Sequence, residues 1–164
     1  MQALEAAVLR TIETFEAQHV CNTLHIMAKA CYRPWDRTLV PELEGRAEAL
    51  AGSFNAQDVA NTLWAYAKMG RAPGAGLMRE LEGRAEALAG TFNSQNVANT
   101  LWAYAKMGQE PGAGLMRELE GRAVALAGRF NAQEVANTLW AYATMGREPG
   151  AGLMRELEIG RAHV

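Results

Sequence analysis

A small set of polar side chains recurs at one spacing along this 164-residue chain, and together they could recognise a nucleobase. Gln57 and Asn61 stand one helical turn apart, with Asp58 beside the first. A primary amide carries a donor and an acceptor side by side, which suits a base edge. The set returns as Gln95, Asn96 and Asn99, and again as Gln133, Glu134 and Asn137. Positions n, n+1 and n+4 of one helix can present three side chains to a single base. Gln and Asn are constant while Asp58, Asn96 and Glu134 differ, so the middle slot is the candidate discriminator. Lys68 and Lys106, with Arg71 and Arg147 near the helix end, are candidate phosphate contacts. Each has a plainer reading. The amides could form a ladder between neighbouring helices, and the varying residue could cap a helix N-terminus. Trp64 and Tyr66 could stack on bases, although an aromatic stripe at helical spacing is more often core.

Other chemistry finds little support. His19, Cys21, His25 and Cys31 suggest zinc, but their spacing fits none of the usual structural zinc patterns. They align with Asp58, Ala60, Trp64 and Gly70, which makes them divergence in a repeated unit. Two cysteines give no disulfide framework. No Ser/His/Asp set or metal cluster stands out, so neither an enzyme nor a cofactor is expected. Gly74-Ala75-Gly76 opens a helix and lacks the strand that a nucleotide loop requires. A net charge of −2 excludes binding by bulk positive charge. No apolar run approaches the ~20 residues that span a bilayer, and no signal peptide shows at the N-terminus.

The elements that must position these residues follow from composition and repetition. With 31 Ala and 17 Leu against 3 Ile and 8 Val, the chain favours helix over sheet. The run Phe54–Gly70 returns 38 residues later at Phe92–Gly108, and again at Phe130–Gly146. A worn copy begins at Phe15, offset by 39, so the stretch 35–41 holds one extra residue. Each unit reads as two helices. Helix B starts at Asn55, an N-cap with Asp58 three residues on, much like a capping box. It ends at Gly70, suited to a left-handed C′ position, and Pro73 blocks continuation. Nearly all of its circumference is apolar or small, apart from one ridge: Gln57, Asn61, Trp64 and Lys68. Helix A carries Leu77, Met78, Leu81, Ala85, Leu88 and Ala89 at helical spacing. Its charges (Arg79, Glu80, Glu82, Arg84, Glu86) read as a solvated outer face, and mid-helix Gly83 suggests a close backbone contact.

The expected fold is therefore all-α, an α-solenoid of tandem 38-residue hairpins with helix B on the concave side and helix A on the convex side. The units fall at 1–34 (divergent), 35–73, 74–111, 112–149 and 150–158, the last being the start of a fifth. After Glu158 the pattern breaks into Ile159-Gly160-Arg161-Ala162-His163-Val164. That hexapeptide equals one translated frame of a common sequencing adapter. Residues 159–164 read as read-through, and the natural protein is expected to continue with more repeats.

At Gln57–Gly70 the sequence resembles the octotricopeptide repeat family and its heptatricopeptide and FAST-kinase-like relatives. Their shared signature is a Gln followed by an aliphatic-Ala-Asn-Thr-Leu-Trp-Ala-aromatic/Leu-Ala-Lys-Leu/Met-Gly run. The resemblance covers residues 15–158. It departs at Pro73-Gly74-Ala75-Gly76, where the octotricopeptide consensus has a Pro-rich stretch ending in Trp, matched here only by Pro34-Trp35. The resemblance implies an α-solenoid that binds single-stranded RNA in chloroplasts or mitochondria, about one nucleotide per repeat, and acts in RNA stability, processing or translation. Single-stranded RNA is the expected partner, with other proteins beside it, and neither a membrane nor a small-molecule substrate is expected. The rival reading is a protein–protein scaffold on the same solenoid. A peptide groove should vary between repeats, whereas this ridge is nearly constant, which suits a repeating ligand.

Overall fold

The computed structural model describes the backbone of residues 2–30 and 38–162 and the side chains of residues 3–30 and 38–158. Within them the chain forms helices α1 (Gln2–Thr11), α2 (Ala17–Ala30), α3 (Leu39–Leu50), α4 (Ala56–Lys68), α5 (Ala75–Leu88), α6 (Ser94–Lys106), α7 (Ala113–Leu126), α8 (Ala132–Thr144) and α9 (Ala151–Ala162). No strand occurs among the described residues. Cys31, Pro34, Trp35 and His163 lie outside the description, as does the part of the 35–41 stretch before residue 38. Helix α9 runs on through Ala162, so helical geometry continues into the hexapeptide.

The architecture is the expected all-α helical-repeat solenoid. The even-numbered helices α2, α4, α6 and α8 stack in one layer, and the odd-numbered helices form a second layer beside them. Small residues let the even helices approach one another: Ala60, Ala65, Ala98 and Ala103 are fully buried. The opposite side of each even helix carries the large core residues, including Tyr66, Tyr104, Leu63 and Leu101. The outermost even helices are exceptions: Ile26 of α2 is 63% exposed where Ala65 and Ala103 are buried, and α8 is open on its outer side. Ala136 and Ala143 are exposed, whereas Ala60, Ala67, Ala98 and Ala105 at the same repeat places are buried.

Both ends of helix B form as the residues dictate. Asn55 accepts a hydrogen bond from the Asp58 amide at 2.8 Å, and Asp58 Oδ2 accepts from the Asn55 amide at 3.0 Å, a complete capping box. At the other end Gly70 has φ +75°, a left-handed conformation that glycine adopts without strain. The Gly70 amide donates to the Ala67 carbonyl and the Arg71 amide to the Tyr66 carbonyl, at 3.0 and 3.1 Å. This is the Schellman pattern, which satisfies carbonyls the helix leaves open. Gly108 and Gly146 repeat it.

Helix A departs from its expected role. Its charges are not only a solvated face. Glu44 accepts a hydrogen bond from the Gly74 amide at 2.5 Å, and Glu82 does the same for Gly112 at 2.6 Å. Glu120 holds Gly150 in the same way. Each carboxylate thus serves the N-terminus of the next odd helix, where unpaired amides and the helix dipole favour negative charge. Arg46, Arg84 and Arg122 donate through Nε to the carbonyls of Phe15, Phe54 and Phe92 at 2.9, 2.8 and 2.8 Å. The glycines of the Pro-Gly-Ala-Gly turns make room for these acids: a Cβ on Gly112 would lie 3.3 Å from Glu82 Oε1, and one on Gly114 2.6 Å from Glu86 Oε1. Gly83 makes no close contact, since a Cβ there would meet nothing within 4 Å. Nothing in the structure explains that glycine.

Candidate nucleic-acid interface

Helices α4 and α6 each bury all but a narrow strip. On α4 the exposed or half-exposed strip comprises Gln57, Asn61, Trp64 and Lys68, flanked by buried Ala60 and Ala65. On α6 it is Gln95, Asn99, Trp102 and Lys106, and on α8 Gln133, Asn137, Trp140 and Thr144. Gln57, Gln95 and Gln133 are exposed; Asn61, Asn99 and Asn137 are half-buried. The amides do not form a ladder between helices. Among the described residues the amide–amide bond of this ridge lies within one helix, from Gln133 Nε2 to Asn137 Oδ1 at 3.0 Å.

The reading of the sequence missed a fourth set. The worn repeat places Gln18, Asn22, His25 and Lys29 on α2 at the same helical places, with Gln18, Asn22 and Lys29 exposed. The signal was available, since these residues align with Gln57, Asn61, Trp64 and Lys68 at the offset of 39. Around them this repeat has changed its caps and core: Glu16 stands for Asn55, His19 for Asp58, Cys21 for Ala60 and Met27 for Tyr66.

The varying slot has a different task from the one expected. Asp58, Asn96 and Glu134 each sit at the third helical position and accept from the N-cap amide at 3.0, 3.1 and 3.0 Å. Asn96 is also buried, at 7% exposure. In the worn repeat His19 Nδ1 accepts from the Glu16 amide at 3.1 Å. What these four side chains share is an acceptor that reaches back one turn, and the cap holds that acceptor toward the backbone. The variation therefore fits capping, and these residues do not extend the exposed ridge.

The phosphate candidates divide. Lys68 and Lys106 are exposed on the ridge. Arg147 pairs with Glu110, Nε to Oε1 at 3.7 Å. Arg71 and Arg147 lie close enough to Tyr66 and Tyr142 to favour the ionised hydroxyls, against the larger opposing effects of burial and of Glu44 and Glu120. The tyrosines are core, at 1–2% exposure, and Tyr104 donates to Glu82 at 3.4 Å. The indoles are not full core. Trp64 and Trp102 are half-buried, because each ring sits on the strip between two buried alanines, and Trp140 is 43% exposed, on the helix where Ala136 is exposed too. His25 and Trp64 approach to 4.9 Å between ring centroids, and Trp102 and Trp140 to 6.4 Å.

Three of the four residues once read against zinc have other surroundings. His19 caps α2, and His25 lies against Trp64. The Cys21 Sγ lies 3.2 Å from Thr62 Oγ1, and burial pushes its thiol up to about 12.

Over residues 3–149 the chain matches the family described as RNA-editing substrate-binding complex 6 protein. The chain belongs to that family. An RNA-related role follows from the membership. The resemblance to octotricopeptide, heptatricopeptide and FAST-kinase-like repeats is corrected by this match. The chloroplast or mitochondrial location came with that resemblance and loses its support with it. No curated protein matches the chain.

Proposed function

We propose that this protein binds single-stranded RNA along the ridge of its even helices, as a binding member of an RNA-editing assembly without a reaction of its own. One observation carries the reading. The Gln and Asn of the ridge persist in all four even helices, including the repeat whose caps and core have diverged. A strip that only solvates should drift before the core does. Each repeat offers two amides for base edges, and in three of the four a lysine one turn beyond the aromatic residue for phosphate. Gln57, Asn61, Gln95, Asn99, Gln133 and Asn137 are the base-facing residues of this reading, with Gln18 and Asn22 added. Lys29, Lys68 and Lys106 are its phosphate contacts. Asp58, Asn96 and Glu134 serve as caps that orient the helix.

Binding of a labelled random-sequence RNA across a salt series tests this. Three phosphate contacts give a log-affinity against log-salt slope of about −2, from ~0.7 per contact on single strands. Lys106→Ala shallows the slope by ~0.7 and weakens all sequences alike. Gln95→Ala and Asn99→Ala weaken binding with cooperative unfolding intact. If those two variants unfold, or if RNA fails to bind at low salt, the ridge is not the interface.

A further inference from the structure

The ridge holds one aromatic ring per repeat: His25, Trp64, Trp102 and Trp140. Each follows an Asn by three residues, and the first three precede a Lys by four. On a helix these neighbours share one face. His25 meets Trp64 at 4.9 Å and Trp102 meets Trp140 at 6.4 Å between centroids, so rings meet across two of the junctions between even helices.

Packing alone is a poor explanation of this row. The tyrosines two residues further on already fill the core at 1–2% exposure, while Trp64 and Trp102 stay half-open although an even helix packs on either side of each. The worn repeat discriminates between the two kinds of position. It replaces the buried tyrosine by Met27 but the ridge indole by another flat ring, His25. An aliphatic residue would have served a packing role, as it does at Met27. His25 is also held toward its neutral form, first by burial and then by Lys29, which leaves a ring that can stack without a charge to solvate.

We infer that His25, Trp64, Trp102 and Trp140 form a stacking row for unpaired nucleobases, alongside the amides that meet base edges. The inference rests on the RNA-binding reading above and adds the part of the nucleotide that reading leaves out, the face of the base. Every base has a π-face, so the row holds single strands with little sequence preference and excludes paired bases. Selectivity then falls to the amides.

The test uses the full chain with Trp35→Phe, so that the fluorescence comes from the row alone. Three probes are compared: a random-sequence single-stranded RNA, an abasic strand of the same length, and a duplex. The single strand should quench tryptophan emission in step with binding measured by anisotropy of a labelled strand. Trp140→Ala should weaken the single strand by about 5- to 100-fold, the range for loss of one stacked base, and leave the abasic strand unchanged. Trp140→Phe should restore most of the loss. Trp140 is the most exposed indole of the row, and helical circular dichroism checks that the fold is kept. Equal affinity for base-bearing and abasic strands, without quenching, would overturn the stacking row and leave the amide and lysine reading standing. Binding of neither strand at low salt would overturn both.

Discussion

Asn93 and Asn96 accept each other's backbone amides, at 2.7 and 3.1 Å, and the choice between reading a base and capping a helix turns on that geometry. Asn93→Ala should cost about 1 kcal/mol of stability in urea unfolding, the usual loss for an N-cap. Asn96→Asp and Asn96→Glu should be tolerated, because Asp58 and Glu134 make the same box elsewhere in the chain. The base preference of bound RNA should not change in either variant, and a change selected from a random pool would return that slot to the role of discriminator. The cap was legible in the sequence, since Asn and Asp stood at the right interval. The choice between roles was not, because an acceptor three residues into a helix suits both. The indoles were misjudged for a related reason: helical spacing placed Trp64 at the edge of the strip, but only the neighbours' positions show that the ring stays half open. The tyrosines carry a pH consequence. Burial, then Glu44, Glu82 and Glu120, push the ionisation of Tyr66, Tyr104 and Tyr142 up in the folded protein. Stability from a group raised in this way is complete below its unfolded value of about 10 and is lost as pH rises beyond it. Helical signal should therefore collapse above about pH 10 together with the appearance of tyrosinate absorbance. In a Tyr32→Phe variant, tyrosinate forming several tenths of a pH unit before any loss of helix would show the three hydroxyls to be accessible.

At the scale of the helix, Gly83 and Gly112 make an instructive contrast. A Cβ at Gly112 would press on the Glu82 carboxylate, whereas one at Gly83 would meet nothing within 4 Å. Gly83→Ala should accordingly stabilise the protein by about 1 kcal/mol, the helix-propensity difference, seen as a higher urea midpoint at unchanged slope. A loss of stability would mean that the glycine has a packing role invisible in this state. Helix positions, caps and the left-handed glycines were all legible, because each rests on residues close in sequence. Of the charges on helix A, Arg79, Glu80 and Glu86 are exposed as expected, whereas Glu82 and Arg84 were misread as solvent-facing. Glu82 reaches Gly112 and Arg84 reaches Phe54, each 30 residues away, and no local pattern announces a partner at that distance. Periodicity did hold the clue, since all of these residues recur at 38.

For the whole molecule, the repeated sequence announced the solenoid, because a hairpin that cannot bury its own apolar face must stack on its neighbours. The exposed Ala136 and Ala143 of α8 show what a missing neighbour on the even layer leaves behind. The family was not legible, since the run Gln57–Gly70 resembles other helical repeats and the match over residues 3–149 overturns that resemblance. The carboxylate staples give the array a further property: a direction. Glu44 completes the first turn of α5, Glu82 that of α7 and Glu120 that of α9, always from the earlier hairpin to the later. Glu82→Gln should take the negative charge from the first turn of α7 and leave α5, where the side chain originates, with nothing lost. Hydrogen exchange in the first turn of α7 should speed up by the equivalent of about 0.5–1 kcal/mol, with α5 unchanged. Equal losses in α5 and α7 would mean the staples carry no direction. A chain made from its N-terminus would emerge with each new helix meeting a waiting partner, so the order of synthesis and the order of assembly would coincide.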